Sequence, residues 1–246
     1  MKKVLKITAI MLLALLLLGA GGFVLWAETP ARPRQAALAA LQSDDKVTVT
    51  ETGKHITFEP SNVQPSTGFI FYPGGRVDYR AYAPILRQIA EQGYFVALVP
   101  VRLNLAFFDV NAAEPVLADF PQIEHWAIGG HSLGGVAASL FAGTHPQIEG
   151  IVYWASYPAD DQLKNSGIKM MSIYASNDGL ATGEKIEASK ANLPTDTLFL
   201  AIQGGNHAQF GDYGPQGGDN LASIPAESQW QQVAKQTAAF LKSLAP

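Results

Sequence analysis

Hydrophobic residues are spread along this chain in three different ways. Residues 7–27 are almost wholly apolar and carry no charge, after a short basic start, Met1-Lys2-Lys3-Val4-Leu5-Lys6. At a helical rise of about 1.5 Å per residue, some twenty residues reach across the roughly 30 Å hydrocarbon core of a bilayer. Beyond Glu28 the apolar positions break into short runs of two kinds. Runs at 67–72, 94–99, 123–128, 148–155, 169–175 and 197–203 are brief and continuous, which predicts strands buried on both faces. Residues 46–50 and 55–59 instead alternate apolar and polar around Thr52-Gly53, which predicts a hairpin. The third pattern is helical. Residues 79–92 put Tyr82, Ile85, Leu86 and Ile89 on one side before Gly93, and residues after Ser132 put Val136, Leu140 and Phe141 on one face. Further helical segments are predicted at 35–41, 183–193 and 226–244, with a linker of two prolines and two arginines at 28–34.

Strands that alternate with helices predict an α/β domain with a largely parallel sheet covered on both faces. The chain divides into an N-terminal membrane anchor or signal segment (1–27), a linker with a short helix (28–45) and one α/β domain (46–246). The stretch between Ala155 and Lys169 is too short for a helical cap domain, so the site is expected to be open. The N-terminal lysines favour keeping that end cytoplasmic, with Trp26 at the opposite interface. Leu25-Trp26-Ala27 is a poor signal-cleavage site and Gly19-Ala20-Gly21 a better one; an uncleaved anchor is the favoured reading. Either route puts the domain outside the cytoplasmic membrane.

Composition narrows the chemistry. The chain is 48% apolar and 15% charged, with a formal charge of −4. Lys2, Lys3 and Lys6 are three of the 17 basic residues, which leaves 14 against 21 acids for the domain. An acidic domain without a basic stripe argues against nucleic acid as a partner. The absence of cysteine excludes disulfides, a thiolate nucleophile and cysteine-bound metal.

The chemistry centres on Gly130-His131-Ser132-Leu133-Gly134, a G-x-S-x-G pattern between a predicted strand and a predicted helix. That context is a nucleophile elbow: a serine on a strained turn, with glycines letting strand and helix pass closely. A serine hydroxyl needs a base, usually histidine, held by a carboxylate, and on this fold the order is serine, acid, histidine. Of five histidines, His55 and His125 precede the elbow, His131 belongs to it and His145 ends its helix. His207, in a late loop just past a strand, is the base. Asp178, in Ser176-Asn177-Asp178-Gly179 after another strand, is the acid in preference to Asp160 or Asp161. The oxyanion needs two backbone N–H donors. Leu133 supplies one, and Gly75, in preference to Gly74 or Arg76, supplies the other from the loop Pro73-Gly74-Gly75-Arg76.

On these points the chain resembles the α/β-hydrolase superfamily, in the small cap-less group of dienelactone hydrolases and bacterial esterases, from about Lys46 to the C-terminus. The specific matches are Pro73-Gly74-Gly75, Gly130 to Gly135, Asp178 and His207. Two departures stand out. Tyr72 occupies a place where many relatives have histidine before the glycines, and dienelactone hydrolases use cysteine where this chain has Ser132. The resemblance implies an α/β-hydrolase fold without a large cap. It also implies hydrolysis of small-molecule carboxylic esters through an acyl-enzyme, without cofactor or metal. A lipase, acyltransferase or peptidase with the same triad, or a silent binding protein, are the alternatives. Rim aromatics Tyr72, Tyr79, Phe107, Phe108, Tyr157, Phe210 and Tyr213 are candidates for the substrate pocket. Tyr72, Gly74, His131, Tyr157 and Phe210 are the substrate-binding set. Arg76 is expected to be solvated or paired with Asp78, and residues 208–225 to form a flexible rim.

Overall fold

The structure, a computed structural model, describes residues 2–245. Eight strands are present: β1 (Val47–Glu51), β2 (Ile56–Pro60), β3 (Thr67–Tyr72), β4 (Phe95–Leu98), β5 (His125–His131), β6 (Ile148–Trp154), β7 (Lys169–Ala175) and β8 (Leu198–Ile202). They form one sheet in the order β1-β2-β4-β3-β5-β6-β7-β8. The expected hairpin β1–β2 is antiparallel and joins the sheet antiparallel to β4; every other pairing is parallel. The helices are α1 (Lys2–Ala27), α2 (Gln35–Ala40), α3 (Ala83–Ala90), α4 (Glu114–Asp119), α5 (Leu133–Ala142), α6 (Gly183–Ser189) and α7 (Ala226–Lys242).

The pleat of β3 explains the two-sided core. Every residue of Thr-Gly-Phe-Ile-Phe-Tyr is buried, and neighbours point to opposite faces. Phe69 and Phe71 join Ile85, Leu86 and Ile89 of α3 and Val233, Phe240 and Leu241 of α7. Ile70 and Tyr72 join Ala137 and Phe141 of α5 on the other face. Helices therefore cover both faces, and all strands from β3 to β8 end on one rim.

Two expectations are refined. The helix expected at 79–92 is a 3₁₀ turn (Tyr79–Tyr82) followed by α3, because Pro84 sits in the first turn of α3, where its missing N–H costs nothing. The segment 183–193 likewise divides into α6 and a 3₁₀ turn, Lys190–Asn192. Between β4 and β5 the chain forms three 3₁₀ turns (Arg102–Asn104, Ala106–Phe108, Val110–Ala113) and α4, none of which carries a periodic signal. Between β6 and β7 there are only turns, so there is no large cap. α1 contains an 18-residue window with a mean hydropathy of 2.5, is long and apolar enough to cross a membrane, and is exposed except for Ala27.

Candidate active site

Ser132 lies between the end of β5 and the start of α5 with φ 52 and ψ −120. A non-glycine residue there carries strain of about 1–3 kcal/mol, which its surroundings must offset. Its N–H donates to Trp154 O at 3.0 Å, while its carbonyl accepts from Ser156 Oγ at 2.5 Å and Gly135 N at 3.1 Å. The turn closes because two neighbours lack a Cβ. One on Gly130 would strike the backbone of Gly134, and one on Gly134 would strike the carbonyls of Tyr72 and Pro73.

Asp178 and His207 meet because β7 and β8 are neighbours, with Ala175 opposite Ile202. The loops beyond them are laced together: Asn177 N donates to Gly205 O at 2.9 Å and Gly204 N to Ser176 Oγ at 2.8 Å. His207 Nδ1 bonds Asp178 Oδ2 at 2.8 Å, with the two residues only 1% and 4% exposed. The other oxygen, Asp178 Oδ1, accepts from Leu180 N and Ala181 N, both at 2.7 Å, which fixes the carboxylate plane. His207 Nε2 has no hydrogen-bond partner among the described residues. Asp160, the passed-over acid, caps its own turn through Gln162 N at 3.1 Å.

The loop after β3 has four residues and one spare donor. Pro73 has no N–H, Gly74 N donates to Tyr82 Oη at 2.9 Å, and Arg76 N donates to Asn104 O at 2.7 Å. Gly75 N–H has no acceptor among the described residues, and a Cβ at Gly75 would lie 3.3 Å from the side chain of Leu133. The two candidate oxyanion donors are thus neighbours. Tyr82 Oη, which accepts from Gly74, is also hydrogen-bonded to His131 Nδ1 at 2.9 Å. Burial pushes the Tyr82 hydroxyl well above its usual range, so it stays protonated. Burial, and then the neighbouring His207, hold His131 well below the ordinary histidine value.

Ser132 and His207 line one cleft of about 160 Å³ with Leu133, Val136, Ala155, Ser156, Tyr157, Leu180 and Ala181. Of the expected substrate-binding set, only Tyr157 lies on it. Tyr72 is buried on the α5 side; its hydroxyl donates to Val110 O and accepts from Ala113 N at 3.1 Å. Phe210 is buried against His131 and Trp154. His131 is buried behind the cleft and Gly74 is buried beneath it, where a Cβ would press on His131 and Tyr82. Phe107 and Phe108 stand outside it, half exposed. Arg76 corrects a further expectation. Asp78 pairs with Arg80 at 2.6 Å, and Arg76 instead bonds Trp26 O and Thr29 O, both at 2.9 Å.

Three supporting residues carry no signal in the sequence. Asp219 accepts from Gly179 N at 3.0 Å and Ala208 N at 2.9 Å, the residues directly after Asp178 and His207. Buried Gln229 of α7 holds Asn206 on both backbone groups, at 3.0 and 2.9 Å. Tyr82 bridges the glycine loop and β5. Residues 208–225 are consequently pinned at several points rather than hanging free, with Asp212 N bonded to Ala81 O at 2.8 Å and Asp212 Oδ2 accepting from Ala37 N at 2.9 Å.

This fold and rim define an α/β hydrolase. The chain belongs to the alpha/beta hydrolase family, whose model matches residues 68–231. In fold it is similar to the esterase domain of a Rhodothermus marinus protein (TM-score 0.60, 16% identity), a likeness that covers 82% of this chain and 99% of that one. It is similarly close to MGS-MChE2, an alpha/beta hydrolase enzyme from the metagenome of lagoon sediments at Mar Chica, Morocco (TM-score 0.60, 16% identity, covering 80% and 98%). Among curated proteins nothing matches the chain.

Proposed function

We propose that the protein is a serine hydrolase of small carboxylic esters, held outside the cytoplasmic membrane by α1. The observation that carries the reading is the buried Asp178–His207 pair, whose Nε2 has no partner among the described residues and whose His207 lines the same cleft as Ser132, a serine on a strained turn. Ser132 Oγ attacks the acyl carbon and its proton passes to His207 Nε2. The carbonyl oxygen, now an oxyanion, lies between the N–H groups of Gly75 and Leu133. Collapse breaks the bond to the alcohol, which takes the proton from His207. Water then attacks the acyl-enzyme by the same route, releasing the acid and restoring Ser132. Asp178 fixes the imidazole tautomer through its bond to Nδ1. Losing one oxyanion donor typically costs about 3 kcal/mol of transition-state stabilisation.

The cleft sets the acyl size. A cavity of about 150 Å³ holds a benzene ring, and this one is of about 160 Å³. Acyl arms up to about six carbons therefore fit best. A fluorophosphonate probe labels the wild-type protein and not Ser132→Ala, and hydrolysis of p-nitrophenyl esters falls steeply beyond hexanoate. A folded wild-type protein that neither takes the probe nor hydrolyses p-nitrophenyl acetate would overturn the assignment.

A further inference from the structure

The last turn of α1 is fastened to the rim that carries Ser132, and nowhere else among the described contacts. Trp26 O accepts from Arg76 Nε at 2.9 Å, Ala27 O accepts from Asn104 Nδ2 at 3.1 Å, and the Arg76 guanidinium lies 4.2 Å over the Trp26 ring. Phe23 meets Phe108 edge-on at 6.0 Å. Arg76 and Asn104 follow β3 and β4, so the helix leaves the domain from the site's own side.

Depth follows from arithmetic. The charge-free run spans residues 7–27, and Phe23 lies four residues, about 6 Å, inside its outer end. A side chain touching Phe23 shares that depth, the interfacial layer where aromatic rings of membrane proteins gather. Phe108 touches it and Phe107 is beside it, 52% and 49% exposed within the protein. Exposed Arg102 heads the preceding turn, Arg102–Asn104. The patch is continuous with the site, since a Cβ on Gly75 would lie 3.3 Å from Leu133 and 3.4 Å from Leu105, the residue before the turn Ala106–Phe108.

We propose that Phe107 and Phe108 dip into the outer leaflet beside α1, so that the cleft opens at the bilayer surface and takes esters whose alcohol part is a lipid-like chain. The short acyl arm enters the cleft, and the alcohol chain lies over the aromatic turn in the lipid. This rests on the ester-hydrolase reading and names its substrate class.

The test uses full-length protein in phosphatidylcholine vesicles and two acetates with one acyl arm: p-nitrophenyl acetate in water and hexadecyl acetate in the bilayer. Phe107→Ser with Phe108→Ser lowers kcat/KM for hexadecyl acetate at least five-fold and changes that for p-nitrophenyl acetate less than two-fold. Equal loss on both, or no loss on the bilayer ester, overturns the proposal. So does wild-type protein that cleaves only the soluble acetate. Protein inactive on p-nitrophenyl acetate and unlabelled by fluorophosphonate instead overturns the hydrolase reading. An activity-independent measurement exploits the absence of native cysteine. A nitroxide on Phe107→Cys collides with oxygen in preference to a water-soluble nickel chelate if the turn is immersed; the reverse preference refutes immersion.

Discussion

At the scale of single residues, the least conspicuous carboxylate has the clearest structural task. The hydrogen bonds of Asp219 reach no residue that lines the cleft, yet it accepts from the amides that follow the candidate acid and base, Gly179 and Ala208. Hydrogen bonds to a charged acceptor contribute about 1.5–3 kcal/mol each, so the pair of bonds holds two separate loops in register. Asp219→Ala is expected to lower kcat at least ten-fold while KM moves little, because the imidazole drifts from Ser132 while the cleft keeps its shape. Asp219→Asn, which retains one acceptor oxygen, recovers part of the loss. Loss confined to thermal stability, with the kcat of the folded enzyme intact, would assign Asp219 a purely structural part.

At the scale of elements, β5, the 3₁₀ turn before α3 and the glycine loop are joined by the chain from Gly74 N–H through Tyr82 Oη to His131 Nδ1. His131 is buried among Tyr82, His207, Phe210 and Tyr213 and is held neutral well below the ordinary value of 6.5. When the chain unfolds, this imidazole takes up a proton near 6.5; in the fold it does not. The unfolded state thus binds more protons as pH falls, so this contribution to stability is complete above about pH 6.5 and shrinks below it. His131→Gln should cost more stability at pH 7.5 than at pH 5.5, the gap narrowing by about 1 kcal/mol in denaturant titrations. A cost independent of pH would contradict the neutral buried imidazole. None of this network was legible in the sequence, although both of its ends were. The strands, the elbow and the order of Ser132, Asp178 and His207 follow from local patterns: short apolar runs, a glycine-flanked serine and polar residues just past strands. Which way an aromatic side chain turns depends on pleat and packing. Tyr72 alternates with Phe71 into the α5 side, and its hydroxyl holds Val110 and Ala113 rather than substrate. The turns at 102–113 escaped notice for the same reason, being shaped by such tertiary bonds and not by any period.

At the scale of the whole molecule, the parallel sheet gathers distant loops on one rim, and the N-terminal segment is built into that rim. Ala31 N donates to Arg76 O at 2.8 Å and Asp78 N to Ala31 O at 2.9 Å, while Trp26 and Thr29 hold the Arg76 side chain. Residue 76 has φ 56 and directly follows the candidate oxyanion donor Gly75, so bonds from the N-terminal segment add to those from Tyr82 and Asn104 in holding the loop. The segment past Ala27 is therefore expected to support the candidate active site and not to act as a passive tether. Chains shortened at two points separate these roles. Removal of residues 1–20 keeps Trp26, Thr29 and Ala31, and should leave kcat on p-nitrophenyl acetate within two-fold in detergent. Removal of residues 1–33 strips all three contacts and frees Arg76 to leave its positive φ, carrying the Gly75 N–H away from the oxyanion. Its kcat should fall roughly ten- to a hundred-fold with KM altered far less, since a misplaced oxyanion donor costs transition-state binding rather than substrate binding. Equal activity of the two shortened chains would mean that the glycine loop holds its own shape.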